Sequence, residues 1–238
     1  DGVTGSGVNS DNGSSNPYDL ADDATFPYLS DPYTDTATGI SYATYQAYIN
    51  ANSLLISDNI DGDADSKIVI SSETDDFSAS NAFGSISWDK SEGLLTIDGV
   101  VRMNVSLDLG KKNNTVTYTG NGTLFSDGDV RVHSDLLSRS TFPTVDSLGV
   151  MTSKIMYLAT GGGESQVNMT GAFYAQNKVV SSKQNEIAGS FVAGYFDLGS
   201  NVPHLYQVPA LSRFLPGGLP KGTSSATITT LSWRRLGS

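Results

Sequence analysis

At 238 residues, 38% of them hydrophobic and 16% charged, the chain is long enough to close a continuous apolar core, and one domain is favoured over two. Abundant Gly, Ser, Thr and Asn favour short strands and turns over long helices, and the absence of cysteine excludes a disulfide framework, a thiolate zinc site and a thiol nucleophile. Net charge is −11, but residues 1–76 carry 14 acidic side chains against the single Lys67, while residues 77–238 carry 11 acidic and 13 basic ones. The argument from bulk charge against nucleic-acid binding therefore applies mainly to the N-terminal third. No apolar run approaches the ~18–20 residues that span a bilayer, so no membrane span is expected in this chain.

Taken in order, residues 1–16 (DGVTGSGVNSDNGSSN) read as a flexible leader that cannot build a core. From Pro17 to Gly39, aromatic residues (Tyr18, Phe26, Tyr28, Tyr33) alternate with Asp and Pro, which suggests an irregular segment that packs its rings while its backbone turns. Tyr42, Tyr45 and Ile49 then fall at helical spacing, with Ser41 as N-cap. Residues 17–56 are expected to cap the end of the structure that follows. Strands are predicted over Leu54–Ile56, Lys67–Ser71, Gly84–Trp88 and Leu94–Ile97.

A degenerate unit then recurs five times, starting at Gly99, Gly122, Gly149, Gly171 and Gly189, which are 23, 27, 22 and 18 residues apart. Each copy has an apolar residue two places after its glycine (Val101, Leu124, Met151, Phe173, Phe191), then a polar corner and a second apolar strand. Fixed-phase strands at this period predict an all-β fold, specifically a β-solenoid whose parallel coils occupy residues 57–200. The Pro-rich stretch Asn201–Pro220 is expected to leave the sheet with one helical turn at Pro209–Phe214, and Ala226–Trp233 to form a last strand. The whole reads as one domain over 17–236, the exit occupying 201–236.

Several side-chain patterns carry possible chemistry. Asp61, Asp63 and Asp65 alternate as in a calcium loop, although Ser66 and Ser72 stand where the EF-hand glycine and bidentate glutamate belong. The plainer reading is an acidic turn. Asp127 and Asp129 around Gly128 could be a glycosidase pair, but Asp-Gly-Asp is also what a tight turn uses. His133 and His204 lack a partner at any recognised spacing, and Gly161, Gly162 and Gly163 precede a strand, which marks a turn and not a phosphate-cradling loop. Arg131, Arg139, Lys154, Lys178 and Lys183 fall in corners of successive copies, so stacking could align them into a basic ladder with Phe173, Tyr174, Tyr195 and Phe196 nearby. The alternative is that the aromatics fill the core and the basic side chains are simply solvated.

The stretches Asn121–Val132 (NGTLFSDGDVRV) and Gly171–Phe196, and the tail FDLGSNVPHLYQVPALSRFLPGGLP with terminal SWRRL, resemble the β-solenoid region of bacterial pilus-assembly proteins of the PilX-like kind. They also resemble competence-associated minor pilins that carry a β-solenoid in a pilin framework. The resemblance covers residues 95–236, and its most specific element runs from Val202 to Pro220. It implies an extracellular or cell-surface bacterial protein, other pilus components as partners, DNA capture as the competence role, and no catalytic residues. The long apolar helix that opens a pilin is not in this sequence. The expectation is a non-enzymatic pilus-associated protein presenting a solenoid face for adhesion or for capture of DNA or surface glycans, with no cofactor unless calcium binds at Asp61, Asp63 and Asp65. The alternatives are a carbohydrate-active β-helix enzyme or carbohydrate-binding module, and a structural filament subunit.

Overall fold

The computed structural model describes residues 27–57, 60–62, 66–199, 201–217 and 219, and the fold is all-β. It opens with an antiparallel ribbon of β1 (Tyr33–Thr34) and β2 (Ser41–Tyr42), followed by helix α1 (Tyr45–Ala51). The cap of α1 is Thr44 and not Ser41: Thr44 Oγ1 accepts the Ala47 N–H at 3.0 Å. Next come β3 (Leu54–Ile56), β4 (Lys67–Ile70) and an antiparallel meander of β5 (Phe77–Ser80), β6 (Gly84–Asp89) and β7 (Leu94–Met103).

From β7 onward every further strand pair is parallel. The chain alternates between one long stretch and one short strand: β7 with β8 (Ser106–Leu109), then β9 (Thr115–Ser126) with β10 (Val130–Val132). The third pass divides the long stretch into β11 (Asp135–Ser138) and β12 (Ser147–Thr152) before β13 (Ile155–Leu158). Two more passes follow, β14 (Asn168–Ala175) with β15 (Lys178–Ser181) and β16 (Glu186–Ala193) with β17 (Phe196–Asp197), and the last strand among the described residues is β18 (His204–Gln207). The short strands stack as β17-β15-β13-β10-β8-β4 in a six-stranded sheet, and the long ones stack beside them in the larger sheet. Parallel neighbours need a crossover, and here each sheet supplies the crossover of the other.

Register puts equivalent residues of successive passes on top of one another. Val101, Leu124, Val150, Phe173 and Phe191 form one inward column, Val116, Leu136, Met169, Ile187 and Leu205 a second, and Leu107, Val130, Met156, Val179 and Phe196 a third. All but their last members are buried in one core, at about 1.5–3 kcal/mol for each fully buried large side chain. Gly99, Gly122, Gly171 and Gly189 share a column, as the repeat predicts, but Leu148 pairs with Gly122 in the third pass. The unit there is shifted by one residue, so Val150 and not Met151 points inward. The reason is the extra segment between β11 and β12, where Asp146 accepts hydrogen bonds from Thr119 Oγ1, Gly120 N and Ser140 N, so that a loop turns the corner instead of a glycine.

Two further expectations are corrected. Residues 27–52 do not close the end of the stack but lie along its side, where Leu29, Tyr45 and Ile49 bury the outward-facing Val100, Phe125, Met151 and Tyr174. Tyr174 Oη donates to the Pro27 carbonyl at 2.7 Å, and Gln176 Oε1 accepts the Leu29 N–H at 3.0 Å. The N-terminal end is closed by the meander, whose Ile86 and Trp88 are buried in the core. Nor does the Pro-rich exit leave the sheet at once: β18 lies between Pro203 and Pro209 and pairs with β16 over four residues. A 3-10 turn follows at Pro209–Ser212, and the chain runs back along the side to Gly217, whose N–H reaches Asn121 Oδ1. The leader 1–16, the start of the cap at 17–26 and the strand expected at Ala226–Trp233 lie outside the described residues. Among the described residues, no helix is long and apolar enough to cross a membrane.

Candidate functional site

The outward face of the six-stranded sheet gathers the most chemistry. Because side chains alternate across the pleat, Val69, Asp108, Arg131, Tyr157, Val180 and Asp197 form an outward column, one from each strand. The Arg131 guanidinium lies 4.8 Å from the centre of the Tyr157 ring and 3.5 Å from Asp129 Oδ2. At the next outward site Asp108 Oδ2 accepts from Lys67 Nζ at 3.2 Å. His133, just after β10, stands between two carboxylates: Nδ1 donates to Glu164 Oε1 at 2.6 Å, and Nε2 makes a charge contact with Asp108 Oδ2 at 3.7 Å. Glu164 Oε2 also accepts the Gly161 N–H at 2.6 Å, which ties the glycine turn to the histidine.

These contacts bias the protons. Burial opposes ionisation of Asp108, but His133 and Lys67 outweigh it and hold its carboxyl below the usual range. Asp108, against burial and with help from Glu164, raises the pKa of His133. Each charge of the group faces an opposite one, and the two carboxylates sit on opposite edges of the imidazole, but the buried Asp108 Oδ1 has no hydrogen-bond partner among the described residues.

The five basic residues singled out from sequence are not brought into one ladder. Arg131 and Lys178 belong to the six-stranded sheet, but Arg131 pairs in register with Tyr157 and Lys178 with Ile155. Lys154 is exposed in the corner before β13, Lys183 follows β15, and Arg139 follows β11 on the other sheet, 2.6 Å from Glu92. Lys178 faces Asp197 at 3.6 Å. Copies of unequal length shift the corner residues, so equal rank in the repeat does not mean equal position in space.

The acidic motifs are also engaged. Arg102 grips Asp127 through Nε and Nη2, at 3.2 and 2.5 Å, and Asp129 faces Arg131, so the Asp-Gly-Asp string forms a corner in which each carboxylate has an arginine. Asp61 Oδ2 accepts the Val69 N–H at 2.7 Å, while Asp63 and Asp65 lie outside the described residues. Among the described residues, no three His, Asp or Glu side chains converge to hold a metal. His204 is exposed on β18 beside Tyr206. Sequence reasoning missed Asp108 and Glu164 as partners of His133. The signal was present: Asp108 and Arg131 are 23 residues apart, the spacing of Gly99 and Gly122, so the repeat itself makes them neighbours.

No protein family and no curated protein sequence matches this chain. Among solved structures, the competence-associated pilin ComZ from Thermus thermophilus is similar, with a TM-score of 0.63 at 15% identity over 85% of this chain and 49% of that one. The fold is shared. The chain spans about half the length of that pilin, and at this identity the likeness extends to the fold alone.

Proposed function

We propose that the protein is a non-enzymatic, cell-surface component of a type IV-like pilus, a single β-solenoid domain that presents its six-stranded face to an external ligand. The observation that carries this reading is the fold shared with a competence-associated pilin over 85% of the chain. The parallel register supports the solenoid reading, since five passes repeat the same inward columns. Other pilus subunits are the partners. Immunogold labelling of the native cell tests it: label along or at the ends of pili is expected, and label confined to the cell interior overturns it.

Capture of DNA is the narrower form. Arg131 on Tyr157 offers a cation and a ring together, and Lys154 stands exposed one corner away. Arg131, Lys178 and Arg139 each already face a carboxylate, Asp129, Asp197 and Glu92 in turn. Fluorescence anisotropy with labelled duplex DNA at ~20 and ~200 mM salt decides it, because phosphate contacts release counterions and weaken steeply with salt. Binding at low salt that disappears in the Lys154→Glu/Lys183→Glu variant is expected, and no binding at low salt rejects DNA as the ligand while leaving the pilus assignment intact.

A further inference from the structure

One corner of the stack is held to the rest of the protein by a charged contact with His133. The turns that lead from the six-stranded sheet back to the larger one are short at 110–114, 133–134 and 182–185, but the one after β13 runs over 159–167 and includes Gly161, Gly162 and Gly163. At its start the Ala159 N–H donates to the Val132 carbonyl at 2.9 Å, and at its end the Val167 N–H donates to Asn185 Oδ1 at 3.0 Å. Between those two points, among the described residues, the polar contact that reaches out of the corner is that of Glu164 with His133. The bonds from Gly161 N–H to Glu164 Oε2 and from Glu164 N–H to the Gly161 carbonyl stay within it. Thr160, Gly162, Gly163, Ser165 and Gln166 are exposed, while the Glu164 side chain is 10% exposed. A long exposed turn with three glycines depends on such a tether for its order.

We infer that Glu164 and His133 form a pH-sensitive latch, closed by the imidazolium and opened when the ring gives up its second proton. The ring carries the charge that two largely buried carboxylates need, Glu164 at Nδ1 and Asp108 at Nε2. A neutral imidazole has one N–H, so one carboxylate is left against a lone pair, a buried charge stripped of its partner. The two carboxylates differ in their means of escape. Asp108 lies within β8, between β4 and β10, where it keeps Lys67 at 3.2 Å and competes for the remaining N–H with a buried Oδ1 that has no hydrogen-bond partner. Glu164 stands on the glycine corner and turns out to water with it. Neighbouring cations do not replace the imidazolium: Lys112 Nζ comes over Gly163 and makes no ion pair with Glu164, and Arg131 is turned to Asp129 and Tyr157. Asp108, against burial and with help from Glu164, raises the proton affinity of His133, so the latch opens above the ordinary histidine range. The corner follows directly on β13, which carries Tyr157, so the border of the six-stranded face changes with pH.

The latch is independent of the pilus assignment, and nuclear magnetic resonance of the full 238-residue chain tests it. Backbone order parameters of Gly161 and Gly163, from Cα relaxation that amide exchange does not disturb, are followed with the His133 ring resonances from pH ~5.5 to ~8.5, where carboxylates stay ionised. Values near ~0.85 at the acid end should fall below ~0.6 at the alkaline end, with the midpoint of the ring titration, while Gly120 in β9 stays rigid throughout. Glu164→Gln removes the charge that must escape and should leave the two glycines indifferent to pH. His133→Gln should leave them mobile at both ends. Glycines as ordered at the alkaline end as at the acid end overturn the inference, as do glycines mobile throughout, a transition away from the His133 midpoint, or a Glu164→Gln chain that still loosens as the ring titrates.

Discussion

His133 owes its environment to residues 25 positions before it and 31 after it, which the stacking brings to either edge of its ring. Its raised pKa has a definite consequence for stability. A group that binds its proton more tightly when folded stabilises the fold fully below its unfolded value, near 6.5, and loses that contribution as pH rises through the higher folded value. The charged groups facing it are Asp108 and Glu164, with Lys67 on the far side of Asp108. The thermal midpoint of wild type should therefore exceed that of His133→Gln by more at pH ~5.5 than at pH ~8.5. An equal difference at both pH values would mean that the imidazole is held by packing alone.

At the scale of the strand, the long stretches bend where glycine permits it. Gly120 has φ +101°, and a Cβ there would collide with the carbonyl oxygen of Ile97 in the pass below. Gly162 has nothing within 4 Å of a Cβ and no positive φ. Gly120→Ala should cost about 2–4 kcal/mol in urea unfolding and Gly162→Ala less than about 0.5 kcal/mol. The repeating glycine was legible because the bend demands it in most passes. The third pass departs for the same reason: a loop anchored by Asp146 makes the bend without glycine, so Gly149, which the repeat offers as the leading glycine of its copy, stands one residue out of phase. Strands Leu54–Ile56 and Lys67–Ile70 matched their alternation closely, whereas β18 was hidden by its flanking prolines, which bound the strand without entering it.

At the scale of the molecule, two apolar clusters of the described residues occupy the two sides of the larger sheet. The outer one exists only because residues 27–52 lie across Phe125 and Tyr174, whose ladder positions would otherwise face water. Phe125→Ala should accordingly cost about 3–5 kcal/mol, as for a fully buried phenylalanine, and Tyr174→Phe about 0.5–1.5 kcal/mol for the bond to Pro27. If Phe125→Ala is nearly neutral in urea unfolding, the segment does not dock on this side. The basic residues belong to this scale too. Whether Lys154, Lys178 and Lys183 align depends on the length of every corner between them, a property of the assembled stack.

The sequence by itself determined the all-β class, the glycine-led period and most inward positions, because a strand's two-residue alternation and a bend's steric demand are local and repeat in every pass. The tertiary structure decided which face the N-terminal segment covers, which carboxylates meet His133, and that, among the described residues, the apolar columns start on buried side chains and end on the exposed Leu205 and Phe196. Those outcomes depend on residues tens of positions apart being set side by side, and unequal loops change that placement without leaving a local mark in the sequence.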